Sequence, residues 1–463
     1  MRATVASTSS TSIPIIASAS SRPRSCAVSS NSRSRIDSNR LPGERGTMSI
    51  AVNASRFALA LPLCAGIAGC AGDSDLPLAA STAALGADGD DLAGTVYAMT
   101  NGADHNAVVR YARHADGGLE YRDTTATGGR GTGSKVIPAL AVDGVDPLTS
   151  QHSLTLNTAR TVLIASNTGD DTVTSFQVHE DGELRIASRV ASGGRFPNSV
   201  AIHRDLVYVA NAGDPGHGAA ASVIGFRIGS HGVLHRISDA AGALGSPASQ
   251  PTHALFSPDG SRLVVSDVAT NQIAVFPVHP DGTLGAATFN PSAGGNPFGM
   301  IFAAPDKLLV SEAQGIVPGA ASVSSYRLTG TRLSVISPAV GNGQTAACWL
   351  SITLDRRFVY SSNTANFGGA GGAGDISIYA VSPAGALTLV EGAAVPRAPL
   401  PGGVSSGPVD SLISADGRYL YQQYSGLGVV GAFAIGHDGR LSPIAGGDGG
   451  HLPVLGAEGL AGF

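Results

Sequence analysis

The chain has 463 residues, 43% hydrophobic, 14% charged and only 5% aromatic, with 62 glycines and 26 prolines. This apolar content can bury a core, which excludes a disordered chain, and the length exceeds one two-layer domain unless the fold repeats. Four cysteines exclude a disulfide scaffold, and 29 basic against 34 acidic residues, a net charge of −5, exclude the basic footprint of a nucleic-acid partner.

Residues 1–47 are rich in Ser and Arg and show no hydrophobic periodicity, so they build no core. They read either as a disordered leader or as sequence upstream of a true start at Met48. From Met48 the chain follows the pattern of a secretory signal over 48–69. Arg56 supplies the charge, Phe57 to Ala68 the apolar stretch, and Ile67-Ala68-Gly69-Cys70 a small-residue exit. That tetrapeptide resembles the lipobox of bacterial lipoproteins, which makes Cys70 the expected lipidation site; the alternative is an ordinary cleaved signal. Both readings imply export, and the first a bacterial cell-envelope protein that touches membrane only through its anchor. The apolar run is too short for a permanent span. Without residues 1–69 the balance is 21 basic against 32 acidic, and Lys135 and Lys307 are the only lysines. Residues 70–94 are expected to be a flexible linker.

From residue 95 onward the chain repeats. Seven segments share a strand bearing an aromatic residue, a glycine turn and a leucine: Tyr111, Phe176, Phe226, Phe276, Tyr326, Tyr379 and Phe433 lead them, 50 to 65 residues apart. In the fourth unit, Thr252–Phe256, Arg262–Ser266, Gln272–Val278 and Leu284–Thr288 read as four strands. No segment has a comparable helical period. The expected fold over 95–463 is therefore all-β, a seven-bladed β-propeller of four-stranded antiparallel blades. The first unit starts at Thr95–Met99, which matches a second strand, and the tail Glu458–Phe463 looks like the missing first one. Closure of the ring by the C-terminal strand follows, and a monomer is expected.

Most turns are short, but the connections between second and third strands swell at 214–221, 313–321 and 365–375, and the link from the first unit to the second, 128–150, is long. All four emerge on one face, where loop-borne function is expected. The first side chains of the innermost strands ring the channel mouth there: His152, Asn198, His253, Phe298, Trp349, Asp410 and Glu458. Second strands add Asn101, Asn167, Asn211, Asp267, Glu312 and Asn363. Of these, His152, Asn198, Asp267, Trp349, Asp410 and Glu458 are the candidate ligand contacts for a small polar molecule. Strand-end asparagines also cap hairpins, and that structural role is the preferred reading for the asparagine series. Channel packing is likewise preferred for Trp349.

Pro251-Thr252-His253-Ala254-Leu255-Phe256-Ser257-Pro258-Asp259-Gly260, Leu206-Val207-Tyr208-Val209-Ala210-Asn211 and Leu309-Val310-Ser311-Glu312 resemble the lactonase-type seven-bladed propeller family, which includes a 6-phosphogluconolactonase and the fungal carboxymuconate lactonising enzyme. The resemblance implies acid or base roles for His253 and Glu312. The family's arginines are missing where the corresponding phrases read Pro297-Phe298-Gly299 and Pro408-Val409-Asp410, and a histidine-containing phrase that opens the sixth unit is here Ala346-Ala347-Cys348-Trp349. Without such cations a phosphorylated lactone has no counter-charge in an acidic channel. Two functions stay open. One is a lactonase-like or cycloisomerase-like hydrolase acting on a small uncharged lactone; the other is a noncatalytic propeller binding a ligand or partner in the cell envelope. Gly403-Val404-Ser405-Ser406-Gly407 has nucleophile-elbow spacing but no following helix, Gly368 to Gly374 lacks the lysine of a phosphate loop, and Cys348 reads as a buried, inert thiol. No cofactor motif and no metal-ligand spacing is present.

Overall fold

The structure, a computed structural model, describes residues 92–137, 144–364, 372–403 and 405–463. The proposed leader, signal and Cys70 lie outside the described residues, as does most of the expected 365–375 loop with its glycine run.

Seven antiparallel sheets of four strands account for all the described strands. Blade 1 joins the C-terminal strand Leu460–Gly462 to Leu92–Met99, Ala107–His114 and Leu119–Ala126. Blade 2 runs from Leu154–Leu156 to Leu184–Ala191, blade 3 from Pro197–His203 to Leu234–Ala243, and blade 4 from Pro251–Phe256 to Thr288–Pro291. Blades 5, 6 and 7 run from Pro297–Ala304 to Arg332–Gly341, from Ala347–Ile352 to Leu387–Arg397, and from Pro408–Ile413 to Leu441–Pro443. Each innermost strand packs against the next, and Leu460–Gly462 touches those of both blade 7 and blade 2, which completes the circle. The fold is thus the all-β seven-bladed propeller that the repeats imply.

Alternating strands make both faces of a blade apolar, so each blade needs a neighbour on either side. Seven hydrophobic clusters result, one in every gap between adjacent blades. The seven repeat aromatics sit in them, all at most 2% exposed. The repeat glycines (117, 182, 232, 282, 330, 385 and 439) all have φ between +60° and +90°, a left-handed turn that costs other residues energy. Four of these turns also receive the preceding blade: Tyr97, Tyr208, Tyr360 and Tyr421 donate their hydroxyls to the carbonyls of Gly182, Gly282, Gly439 and Gly117.

Closure occurs where expected, with Val96, Tyr97 and Ala98 opposite Gly462, Ala461 and Leu460. Two boundaries differ from the sequence reading. The first of the described strands takes in Leu92, within the expected linker. The outer strand of blade 4 is Thr288–Pro291 rather than Leu284–Thr288, with Leu284 held by a single bridge to Val278. Gly285, Ala286 and Ala287 offer little side chain to pack, so the strand forms further along.

Candidate functional site

The long link from blade 1 to blade 2 does more than decorate a rim. Residues 146–152 run into the axis of the wheel and bond to the blades around it. Leu148 N–H donates to Glu458 Oε2 at 2.9 Å, and Ser150 N–H and Oγ–H donate to Glu458 Oε1, both at 3.2 Å, all in blade 1's closing segment. Asn198 and Ser199 of blade 3 donate to the carbonyls of Leu148 and Gln151. Gln151 N–H reaches Thr252 of blade 4 at 2.9 Å. Its side-chain amide clasps Leu350 of blade 6, as donor at 2.9 Å and acceptor at 3.2 Å. A Cβ at Gly299 of blade 5 would lie 2.3 Å from Gln151 Oε1, so only glycine admits this approach. Trp349 of blade 6 donates its indole N–H to Ser150 at 2.7 Å, and Asp410 of blade 7 accepts from His152 N–H at 3.4 Å. Thr149 and His152 hold left-handed conformations, φ +48° and +68°, a strain that this web of bonds retains.

The sequence-predicted ring residues therefore converge, but around an axial plug instead of an open mouth. His152 belongs to the plug itself, because the first strand of blade 2 starts only at Leu154. Its Nδ1 lies 2.9 Å from His253 Nε2, with the rings edge to face. Met300 N–H donates to His253 Nδ1 at 3.0 Å, so Nε2 carries the proton and donates it to His152. Burial lowers His152 to about 4, and burial followed by the neighbouring imidazole lowers His253 well below its usual value. Both rings are neutral at pH 7, and both ring nitrogens of His253 are engaged. Trp349 packs on Phe298 with ring centroids 5.0 Å apart. Asp267 caps a turn, accepting from the N–H groups of Gln250, Ala269 and Thr270.

Glu312 is also buried, and its carboxyl accepts from Gly294 N–H at 2.8 Å, from Ser292 Oγ at 3.4 Å, and from the hydroxyls of Ser322 and Ser324. The same pattern recurs elsewhere. Asn167 joins Thr172 and Thr174 of its own blade to Asn106 and Thr127 before it, and Asn363 joins Asp375 and Ser377 to Asn342. At this position a polar side chain ties the third strand of a blade to the connection arriving from the previous one. Glu312 is the acidic version of that strut. No hydrogen bond and no common partner joins it to His253, so the structure does not assemble these two into a pair.

Beside the plug lies a pocket of about 200 Å³ on the face of the enlarged connections. Phe298, Val268, Ala313, Ile316 and Ala346 give it apolar walls, and Asp146, Thr149, Asn296, Thr364 and Cys348 supply polar atoms. Asn296 is occupied in holding the wall, donating to Val268 O and accepting from Gly315 N–H. Thr364 donates to Pro408 O. Thr149 Oγ1 has no partner although the residue is 1% exposed. Asp146 accepts from Thr149 N–H at 2.9 Å. Burial raises its carboxyl to about 7, and burial with the adjacent Asp146 raises Glu458 well above the usual carboxyl range. Burial raises Asp410 likewise and pushes the Cys348 thiol up, so Cys348 is not activated. Among the described residues no Lys or Arg lines the pocket. Among the described residues no cluster of three or more His, Cys, Asp or Glu is placed to hold a metal ion. Ser405 is buried and donates to Thr364 O, with strand Pro408–Ile413 following, so the elbow spacing has no elbow.

The sequence reading missed Asp146 and Thr149 as pocket residues. Their signal was the length of the link that carries them, but nothing local showed that it turns inward.

Residues 249–401 match the family model "Lactonase, 7-bladed beta-propeller". No curated protein matches the sequence. Among solved structures, the periplasmic gluconolactonase PpgL of Pseudomonas aeruginosa is 19% identical with a TM-score of 0.57, covering 80% of this chain and 98% of its own. Proposed 6-phosphogluconolactonases from Bacteroides uniformis and Bacteroides fragilis are 17% and 16% identical, with TM-scores of 0.59 and 0.57. Each covers 81% of this chain, with 100% and 98% of its own length matched. At these identities the likeness is one of fold.

Proposed function

We propose that this seven-bladed propeller, part of which matches the lactonase family model, takes up a small, uncharged lactone in the pocket beside the plug and opens it. What carries this reading is the make-up of the pocket: a small, largely apolar cavity with no cation among its described lining and one buried carboxyl, Asp146, which burial raises to about 7. A group with that pKa exchanges protons near neutrality and is suited to acid–base work. The Asp146 carboxylate would accept a proton from the water attacking the lactone carbonyl carbon. It would return that proton to the ring oxygen as the acyl C–O bond breaks, giving a hydroxy acid. The unpartnered Thr149 hydroxyl is the donor nearest to hand for the carbonyl oxygen. A phosphorylated or acidic lactone is disfavoured, because no guanidinium or ammonium of the described residues offsets its charge there.

A second reading, uptake without turnover, is favoured by the donor count: one free hydroxyl stabilises an oxyanion less than the paired donors of dedicated hydrolases. Ring opening of γ-butyrolactone and δ-valerolactone by wild type and Asp146→Asn separates the two. Turnover lost in Asp146→Asn with the melt preserved supports hydrolysis. Saturable uptake without products supports binding alone, and turnover undiminished in Asp146→Asn rejects the assignment. Export and anchoring through Cys70 belong to the same proposal, supported by the signal-like grammar of residues 48–70. Labelling with a radioactive fatty acid, abolished by Cys70→Ser, tests it.

A further inference from the structure

We infer that Glu458 is a positioning residue: by gripping the Leu148–Ser150 turn, it holds Asp146 and Thr149 at the pocket, so that closing the ring and building the site are one event. The inference deepens the proposed reading of that pocket and rests on it. Three donors of the plug converge on this one carboxyl, at 2.9, 3.2 and 3.2 Å. A fourth bond, from Ser153 Oγ to the Glu458 carbonyl at 3.1 Å, fixes the exit of the plug to the same residue. Asp146 stands two residues before the first of these donors and Thr149 stands between them. Asp146 Oδ1 accepts from Thr149 N–H, and its carboxyl also shares a hydrogen bond with Glu458, whereas Thr149 Oγ1 has no partner at all. Two residues beyond Glu458, Leu460 begins the strand that pairs with blade 1. The C-terminal strand therefore carries its grip on the plug with it when it docks. The titratable groups that face Glu458 are Asp146 on the plug, Asp410 from blade 7 and Cys348 from blade 6, with no basic side chain among them.

The chain contains its own reporter, since Trp349 is the only tryptophan, fully buried, and bonded to the Ser150 carbonyl of the plug. Tryptophan emission and acrylamide quenching are compared in wild type, Glu458→Gln and Glu458→Ala, with circular dichroism confirming the β fold. Release of the plug in Glu458→Ala shifts emission to the red and raises opening-limited quenching at least about tenfold, the factor given by losing one such bond. Glu458→Gln keeps one acceptor oxygen and falls between the two. Wild-type quenching rises as pH climbs past about 7 and Asp146 takes on charge beside Glu458, and Glu458→Gln flattens that profile. If Glu458→Ala does not fold, Ser150→Ala, which removes one donor only, gives a smaller change in the same direction. Quenching in Glu458→Ala or, failing that, in Ser150→Ala equal to wild type overturns the inference. The lactone assay fails separately: a wild type that neither binds nor opens a lactone defeats the proposed function, whereas Trp349 still reports whether Glu458 holds the plug.

Discussion

Replacing Glu312 by alanine distinguishes a strut from a catalyst. The substitution removes the acceptor for Gly294 N–H and for the Ser322 and Ser324 hydroxyls, and weakens the longer contact from Ser292. Each buried donor left without a partner costs about 1–3 kcal/mol. Three well-made bonds give a loss of roughly 4 kcal/mol once partial relaxation of the serine rotors is allowed for. Total stabilities are about 5–15 kcal/mol, so this is a large share. Glu312→Gln keeps the shape and one acceptor, and its loss falls to about 1–2 kcal/mol. Asn363→Ala serves as the matched control in the next blade, because it breaks bonds to Asp375 and Ser377 at the equivalent position. Urea unfolding followed by circular dichroism gives all three values. If Glu312→Ala melts like wild type while any turnover disappears, the strut reasoning is wrong and Glu312 acts chemically.

Deleting residues 458–463 removes the closing strand and every bond of Glu458; the cooperative melt should be lost or displaced far downward, and an unchanged calorimetric transition would reject closure. Asp146 is raised from 3.8 to about 7, so the folded state holds its proton more tightly than the unfolded chain. Its contribution to stability is therefore full below about pH 4 and is lost as pH climbs towards 7, by at most about 4 kcal/mol. Asp146→Asn should flatten unfolding curves in that window, and identical pH profiles would count against the burial argument. A pair of glycines separates crowding from backbone strain. Gly439→Ala places a Cβ 2.4 Å from the Phe358 ring and should cost more than about 2 kcal/mol, whereas Gly446→Ala, at φ +70° with no neighbour within 4 Å, should cost about 1 kcal/mol. Equal losses would show that only the dihedral matters.

The wheel was legible because its signals are local and repeated. Each aromatic, each positive-φ glycine and each alternating strand recurs at nearly constant spacing, and burial on both faces of a blade enforces the pattern. The outer strand of blade 4 was misplaced because an edge strand is only half buried and tolerates Gly285-Ala286-Ala287 without a clear pattern. The plug was illegible for the opposite reason. Leu148-Thr149-Ser150-Gln151-His152 has no periodicity, and its partners Trp349, Leu350, Asp410 and Glu458 lie 199 to 310 positions away. His253 and Glu312 occur in phrases that match a family, yet a phrase reports backbone placement and not where a side chain finds its partners. Glu312 shows this most directly, since an asparagine does its work in two other blades.

The axial segment precedes blade 2 along the chain, but its main anchor, Glu458, follows blade 7. A chain without residues 458–463 would present nearly the whole wheel around an unanchored plug. The interior can therefore set only once all seven blades have met around it.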